Sequence, residues 1–84
     1  MKKLYNTTEK KVKFLKKVAH IATFKKPITY YGNKFSQILI CRFVHDKDGY
    51  SVEGMWCSTK VYKTLDELLD RFDWDWMESR HQRQ

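Results

Sequence analysis

The chain is poor in residues that break or redirect a backbone. It has one proline, Pro27, and three glycines, Gly32, Gly49 and Gly54, in 84 residues. No repeat, low-complexity stretch or Gly/Ser linker divides it, so the sequence reads as one domain over 1–84, with 1–6 and 78–84 expected to fray. Two cysteines, Cys41 and Cys57, are too few for a disulfide framework and read as free thiols. No apolar run approaches the ~18 residues of a membrane-spanning helix. The basic opening Met1-Lys2-Lys3 has no apolar stretch behind it, so it does not read as a secretory signal, and a cytoplasmic location is expected. Alanine occurs only at 19 and 22, and arginine supplies four of the 17 basic residues. Such Lys-rich, Ala-poor usage suits an AT-rich coding sequence, as in a low-GC bacterium or its phages.

What is present is enough to fold: 42% of the residues are hydrophobic and 32% charged, with a net charge of +7. The charge is unevenly placed. Residues 1–34 hold ten lysines against Glu9 alone, a balance of +9, and residues 35–84 hold seven basic and nine acidic residues, a balance of −2. Within a single domain that asymmetry implies a basic face and a partner of negative charge.

Hydrophobic periodicity predicts the elements. Asn6-Thr7-Thr8-Glu9 resembles a helix start, and Val12, Leu15, Val18, Ala19 and Ala22 recur at helical spacing, with Phe14 and Ile21 widening the stripe; a helix over 7–23 is expected. Lys11 alone falls inside the apolar arc, where its stem can snorkel. Pro27 bars continuation. Ile28 to Tyr31 reads as a first strand, Ser36 to His45 as a second and Tyr50 to Ser58 as a third, with Asp46 to Gly49 as a hairpin loop. If His45 faces Tyr50, Arg42 lies opposite Glu53. Carried on unbroken, that register puts Leu39, Cys41, Phe43, Val52, Gly54 and Trp56 on the core face, with Cys57 on the opposite side. Thr64-Leu65-Asp66-Glu67 repeats the capping pattern and opens a second helix that buries Leu65, Leu68, Leu69, Phe72 and Trp76. The expected fold is α+β: helix, three-stranded antiparallel sheet, helix. Its nucleus comprises Leu15, Val18, Leu39, Phe43, Val52, Trp56, Leu65, Leu69 and Phe72.

The main functional signal is the lysine face of the first helix, where Lys10, Lys13 and Lys17 line up with Lys16 and His20 beside them. Lys25, Lys26 and Lys34 lie just beyond. Like charges this close repel by a few tenths of a kcal/mol per pair (order of magnitude, ~0.2–0.5) on a helix, and a row of phosphates relieves that repulsion. Tyr30 and Tyr31 stand among these lysines as in single-strand binders, and at most one, taken as Tyr31, is available for stacking. A patch of lysine without arginine forks suits backbone tracking or an acidic protein surface rather than base reading. Trp74, flanked by Asp73 and Asp75, is a candidate interface anchor. The histidines and cysteines show no metal-ligand spacing, and no phosphate loop or nucleophile motif occurs, so neither a metal, a cofactor nor catalysis is expected.

The order helix, three strands, helix is similar to that of double-stranded-RNA-binding domains and of small toxin ribonucleases. The motifs of those families do not accompany it. Lys63-Thr64-Leu65-Asp66-Glu67, where the former place phosphate-binding cations, is acidic after Lys63, and the Gly-Ser segment ahead of the latter's catalytic histidine has no counterpart. The sequence therefore predicts a non-enzymatic basic protein that contacts nucleic acid or a nucleic-acid-handling complex. The alternative is a phage or mobile-element inhibitor of anti-CRISPR or anti-restriction type, docked on an acidic protein surface. No membrane partner is expected.

Overall fold

The computed structural model describes residues 5–17 and 19–81. Its elements are α1 (Thr8–Leu15), β1 (His20–Tyr30), β2 (Asn33–Asp46), β3 (Gly49–Gly54), α2 (Leu65–Leu69) and α3 (Trp74–His81). The strands form one antiparallel sheet in the order β1-β2-β3, and the fold is α+β. No helix among the described residues is long and apolar enough to cross a membrane.

The first helix is half the expected length. Thr7 caps it, its hydroxyl accepting the Lys10 N–H at 3.2 Å, and Lys16 closes it. Ala19 then takes a left-handed backbone (φ 58°), and the chain becomes a strand from His20. Ile21 and Ala22 fit a helical stripe and a two-residue alternation equally well. Pairing with the β2 run Ile38-Leu39-Ile40 decides between them, because Ile21 meets Leu39 and Ala22 meets Ile38. Tertiary partners override a weak local propensity. Val18 lies outside the described residues.

Two bulges shape the sheet. Between Thr23↔Gln37 and Ile28↔Phe35, β1 leaves its partner and passes through Phe24, Lys25, Lys26 and Pro27. Proline is tolerated there because no ladder bond needs its missing N–H. The bulge pairs instead with the α2–α3 link: Phe24 bridges to Phe72, the Lys25 N–H donates to the Arg71 carbonyl at 2.9 Å, and the Asp73 N–H donates to the Thr23 carbonyl at 2.7 Å. The expected single C-terminal helix is thereby broken into α2 and α3. Thr64 caps α2 as anticipated, accepting the Glu67 N–H, and the Asp73 carboxylate accepts the Trp76 N–H at 3.0 Å to start α3. The helix runs on through 78–81, and Glu78 is buried.

The second bulge, at Cys41, lies between Ile40↔Gly54 and Arg42↔Glu53. It leaves the anticipated register intact on one side: His45 faces Tyr50 with rings stacked at 4.1 Å, and Arg42 bonds Glu53 at 2.9 Å. On the other side it inverts the faces, as an extra residue must. Ile38 and Ile40 are buried, whereas Leu39 is only half-buried and Cys41 is exposed. β3 ends at Gly54 rather than Ser58. The chain turns through Met55 and Trp56, the Gly54 N–H donating to the Cys57 carbonyl, and runs back along β3 to the mutual Tyr50–Tyr62 backbone bonds at 2.8 Å. Trp56, expected in the core, projects from that turn with 78% of its surface exposed. Gly49, at φ 138°, lies against the Tyr62 carbonyl, where a Cβ has no room.

The core gathers Phe14 and Leu15 from α1, Ala22, Phe24, Ile38, Ile40 and Val52 from the sheet, Leu68 and Leu69 from α2, Phe72 from the α2–α3 link and Met77 from α3. Phe43 and Leu65 pack at its margin. Tyr5 joins rather than frays: its ring lies 4.7 Å from that of Phe14, and its N–H donates to the Glu78 carboxylate at 2.8 Å.

Leu69→Ala is expected to cost about 2–5 kcal/mol, through lost transfer energy and a cavity, whereas Trp56→Ala stays within about 0.5 kcal/mol; denaturant melts of the two variants separate these outcomes. The cysteines are both free, Cys41 exposed and Cys57 buried, and burial pushes the Cys57 thiol up. A thiol reagent should therefore label Cys41 alone in the native protein and Cys57 only on unfolding, as read by mass spectrometry. The Lys25 ammonium, 3.0 Å from the Asp70 carboxylate, holds that carboxyl below its usual range by hydrogen bond and charge. A lowered folded-state pKa contributes stability above the unfolded value, lost as pH falls through the folded one. The stability of Asp70→Asn should accordingly trail the parent at neutral pH and converge with it as the solution is acidified below the ordinary carboxylate range.

Candidate nucleic-acid interface

Phe14 and Leu15 fix the inward side of α1, and Lys11 and Val12 lie at its flank. The opposite side is left to Lys10, Lys13 and, at the helix end, Lys16 and Lys17, all exposed. None of these four makes an ion pair among the described residues. Lys10 donates to the Asn6 side-chain carbonyl at 3.2 Å. Lys16 and Lys17 lean over aromatic rings, their ammonium groups 6.0 Å from the Phe43 centroid and 5.8 Å from that of Phe14. Lys11 snorkels as expected, reaching to 5.4 Å from the Trp74 ring.

The other residues assigned to this patch are dispersed. His20 belongs to β1, half-buried with its ring edge-on to Phe14 at 4.3 Å, so it does not continue the lysine row of the helix. Lys25 sits in the β1 bulge and is neutralised by Asp70, and Lys26 beside it is exposed. Tyr31 and Lys34 belong to the β1–β2 hairpin, at the far end of β1, whose 11 residues span on the order of 30 Å. Tyr31 and Gly32 both have positive φ, as in a two-residue type I′ loop. Tyr31 is 87% exposed, with Tyr30 half-buried against it at 4.5 Å, so one tyrosine of the pair is available. Trp74 is not a projecting anchor. It is half-buried among Tyr5, Phe14 and Phe72, and its indole N–H donates to the Leu69 carbonyl at 2.7 Å. Its orientation follows from the break at 70–73, which re-phases the helical wheel.

The structure also assembles a feature that periodicity does not reveal. A crevice of about 360 Å³ opens where α1 hands over to β1, lined by Phe14, Lys17, His20, Ile21, Leu39 and Arg80. Arg80 comes from the segment expected to fray, and Ile21 and Leu39 come from faces that periodicity assigns to the core. The signal that could have found Arg80 is Asp73, a helix cap three residues before Trp76. Among the described residues, no group of three or more His, Cys, Asp or Glu side chains is gathered where a metal ion could be held.

What the arrangement offers chemically is an array of exposed cations, without ion pairs among the described residues, beside a small apolar hollow. No family model, curated protein or solved structure matches this chain, so the fold and this surface are the basis for its functional reading.

Proposed function

We propose that the protein is a non-enzymatic, sequence-tolerant nucleic-acid-binding module whose contact surface is centred on the exposed lysines of α1. The observation that supports this most strongly is the set Lys10, Lys13, Lys16 and Lys17, all solvent-exposed and without an ion pair among the described residues. Outside this set Lys25 and Arg42 meet carboxylates, in Lys25–Asp70 and Arg42–Glu53, whereas Lys47, Lys60 and Lys63 are exposed and, among the described residues, without an ion pair. The α1 lysines differ from these in being gathered on and just after one short helix. Keeping several positive charges together on a short helix opposes folding slightly, and a phosphate backbone removes that cost by releasing its counterions. Lysine presents a mobile point charge rather than a planar fork, so the surface suits phosphates of any sequence.

The competing reading, an inhibitor encoded by a phage or other mobile element and seated on an acidic surface of a defence or nucleic-acid-handling protein, uses the same lysines. It predicts no salt-dependent association with free nucleic acid. The double variant Lys10→Glu/Lys13→Glu distinguishes the two. Nucleic-acid binding measured at several salt concentrations should weaken to a similar degree for unrelated sequences. The salt slope should fall by roughly 0.7–0.9 for each phosphate that is no longer neutralised. Thermal stability should hold, because both positions are exposed and a glutamate at 13 attracts Lys16 and Lys17, which offsets its repulsion from Glu9 and from a glutamate at 10. A parent protein that associates with neither duplex nor single strand at low salt would sink the nucleic-acid reading.

A further inference from the structure

We infer that the crevice at the head of β1 receives one unpaired base of a single strand, with Lys17 and Arg80 on the adjoining phosphates and Trp56 as the stacking surface for a neighbouring base. This rests on the nucleic-acid reading above and narrows it to unpaired strands.

Three observations converge. The first is the make-up of the crevice. Phe14, Ile21 and Leu39 give it an apolar lining, Lys17 and Arg80 add two cations, and its volume of about 360 Å³ is that of a small ligand site. An apolar slot bordered by positive charge matches a planar ring joined to a phosphate. A paired base cannot enter, because it would first have to leave its stack.

The second observation is that both cations are held yet uncompensated. The Lys17 ammonium lies 5.8 Å from the Phe14 ring and the Arg80 guanidinium 5.8 Å from that of Trp76. Neither makes an ion pair among the described residues. Among the described residues Arg80 is thus the one fork-shaped donor beside the lysine patch, suited to a phosphate. Ala19, between Lys17 and His20, lines the same crevice in a left-handed conformation (φ 58°) that turns the chain from α1 into β1 there.

The third is Trp56. Its turn is fastened to the crevice wall, the Met55 N–H donating to the Leu39 carbonyl at 3.1 Å. Among the described residues Trp56 has no ring partner, and 78% of its surface is exposed. A large aromatic face in water, one residue beyond the backbone bond that joins its turn to Leu39 of the crevice wall, is a surface of the kind on which bases stack.

Fluorescence anisotropy of the full chain with labelled 12-nucleotide oligothymidine, 12-nucleotide oligouridine and a 12-base-pair DNA duplex tests this directly. Single strands should bind at least about tenfold more tightly than the duplex. Trp56→Ala, and Ile21→Trp to fill the crevice without altering charge, should each weaken single-strand binding about fivefold or more while leaving the duplex within about twofold. Arg80→Ala should lower the single-strand salt slope by about 0.7. All three positions are exposed, so melting curves close to the parent's will show that the variants fold. A preference for thymidine or uridine oligomers identifies DNA or RNA as the source, and either supports the site. Duplex binding as tight as single-strand binding, with Trp56→Ala and Ile21→Trp neutral, overturns the inference while loss on Lys10→Glu/Lys13→Glu leaves the broader reading standing. Absence of all binding by the parent overturns both.

Discussion

The backbone pairing between the β1 bulge and the α2–α3 link is the constraint from which most of this architecture follows. Three contacts define it: Lys25 to Arg71, Thr23 to Asp73, and the Phe24–Phe72 bridge with the two rings stacked at 5.2 Å. An edge strand exposes unsatisfied N–H and C=O groups, and a helix end does the same. Here each satisfies the other. The strand can leave β2 for four residues while its Thr23 carbonyl and Lys25 N–H stay paired, and the C-terminal helix can break while its Arg71 carbonyl and Asp73 N–H do.

The position of that break decides where the later residues go. Asp73 restarts the helix at Trp74, which places Trp74 against Phe14 and Phe72, Glu78 against the backbone of Tyr5, and Arg80 at the mouth of the crevice. The aromatic layer made by Tyr5, Phe14, Phe72 and Trp74 ties the two ends of the described chain to the same core. It also fixes the rotation of α1. With Phe14 and Leu15 committed inward, the helical period turns Lys13 and Lys16 outward, while Lys10 and Lys17, on either side of Phe14 along the chain, stand exposed at its flanks. The basic surface is thus a geometric consequence of how the core is filled.

The local grammar of the sequence conveys much of this, and the departures have one physical source. Thr64 as a cap, the β2–β3 hairpin with His45 on Tyr50 and Arg42 on Glu53, and the burial of Leu15, Val52, Leu69 and Phe72 all depend on neighbours or near neighbours. The departures arise where a distant partner outweighs a local pattern. His20–Thr23 satisfies a helical stripe, yet it becomes strand because β2 lies ready to pair with it. The Cys41 bulge adds one residue and so exchanges Leu39 for Ile38 and Ile40 in the core. The turn after Gly54 removes Trp56 from the sheet altogether. A period-two pattern has no means of announcing an inserted residue, since both faces of β2 are apolar enough to be the core. The lysines of α1 are legible because exposed charge needs only a helix to organise it. The crevice is not, because its walls come from four elements, α1, β1, β2 and α3, that only the folded chain brings together.

Arginine and lysine are sorted across this surface in a way that bears on mechanism. The patch on α1 is all lysine, and lysine follows a charged backbone without selecting its sequence. Of the three arginines among the described residues, Arg42 is paired with Glu53, Arg71 packs its guanidinium over Tyr62 at 5.5 Å and Arg80 over Trp76 at 5.8 Å, and Arg80 is the one that lines the crevice. Tyr31 and Lys34 stand at the opposite end of β1, too far for their side chains to touch the ligand part that meets Arg80. A polymer can reach both ends, whereas a small ligand cannot. On the proposed reading, the exposed aromatic and basic groups spread along β1, with the crevice at its head, suit a chain-like partner gripped at one unit and tracked along the rest.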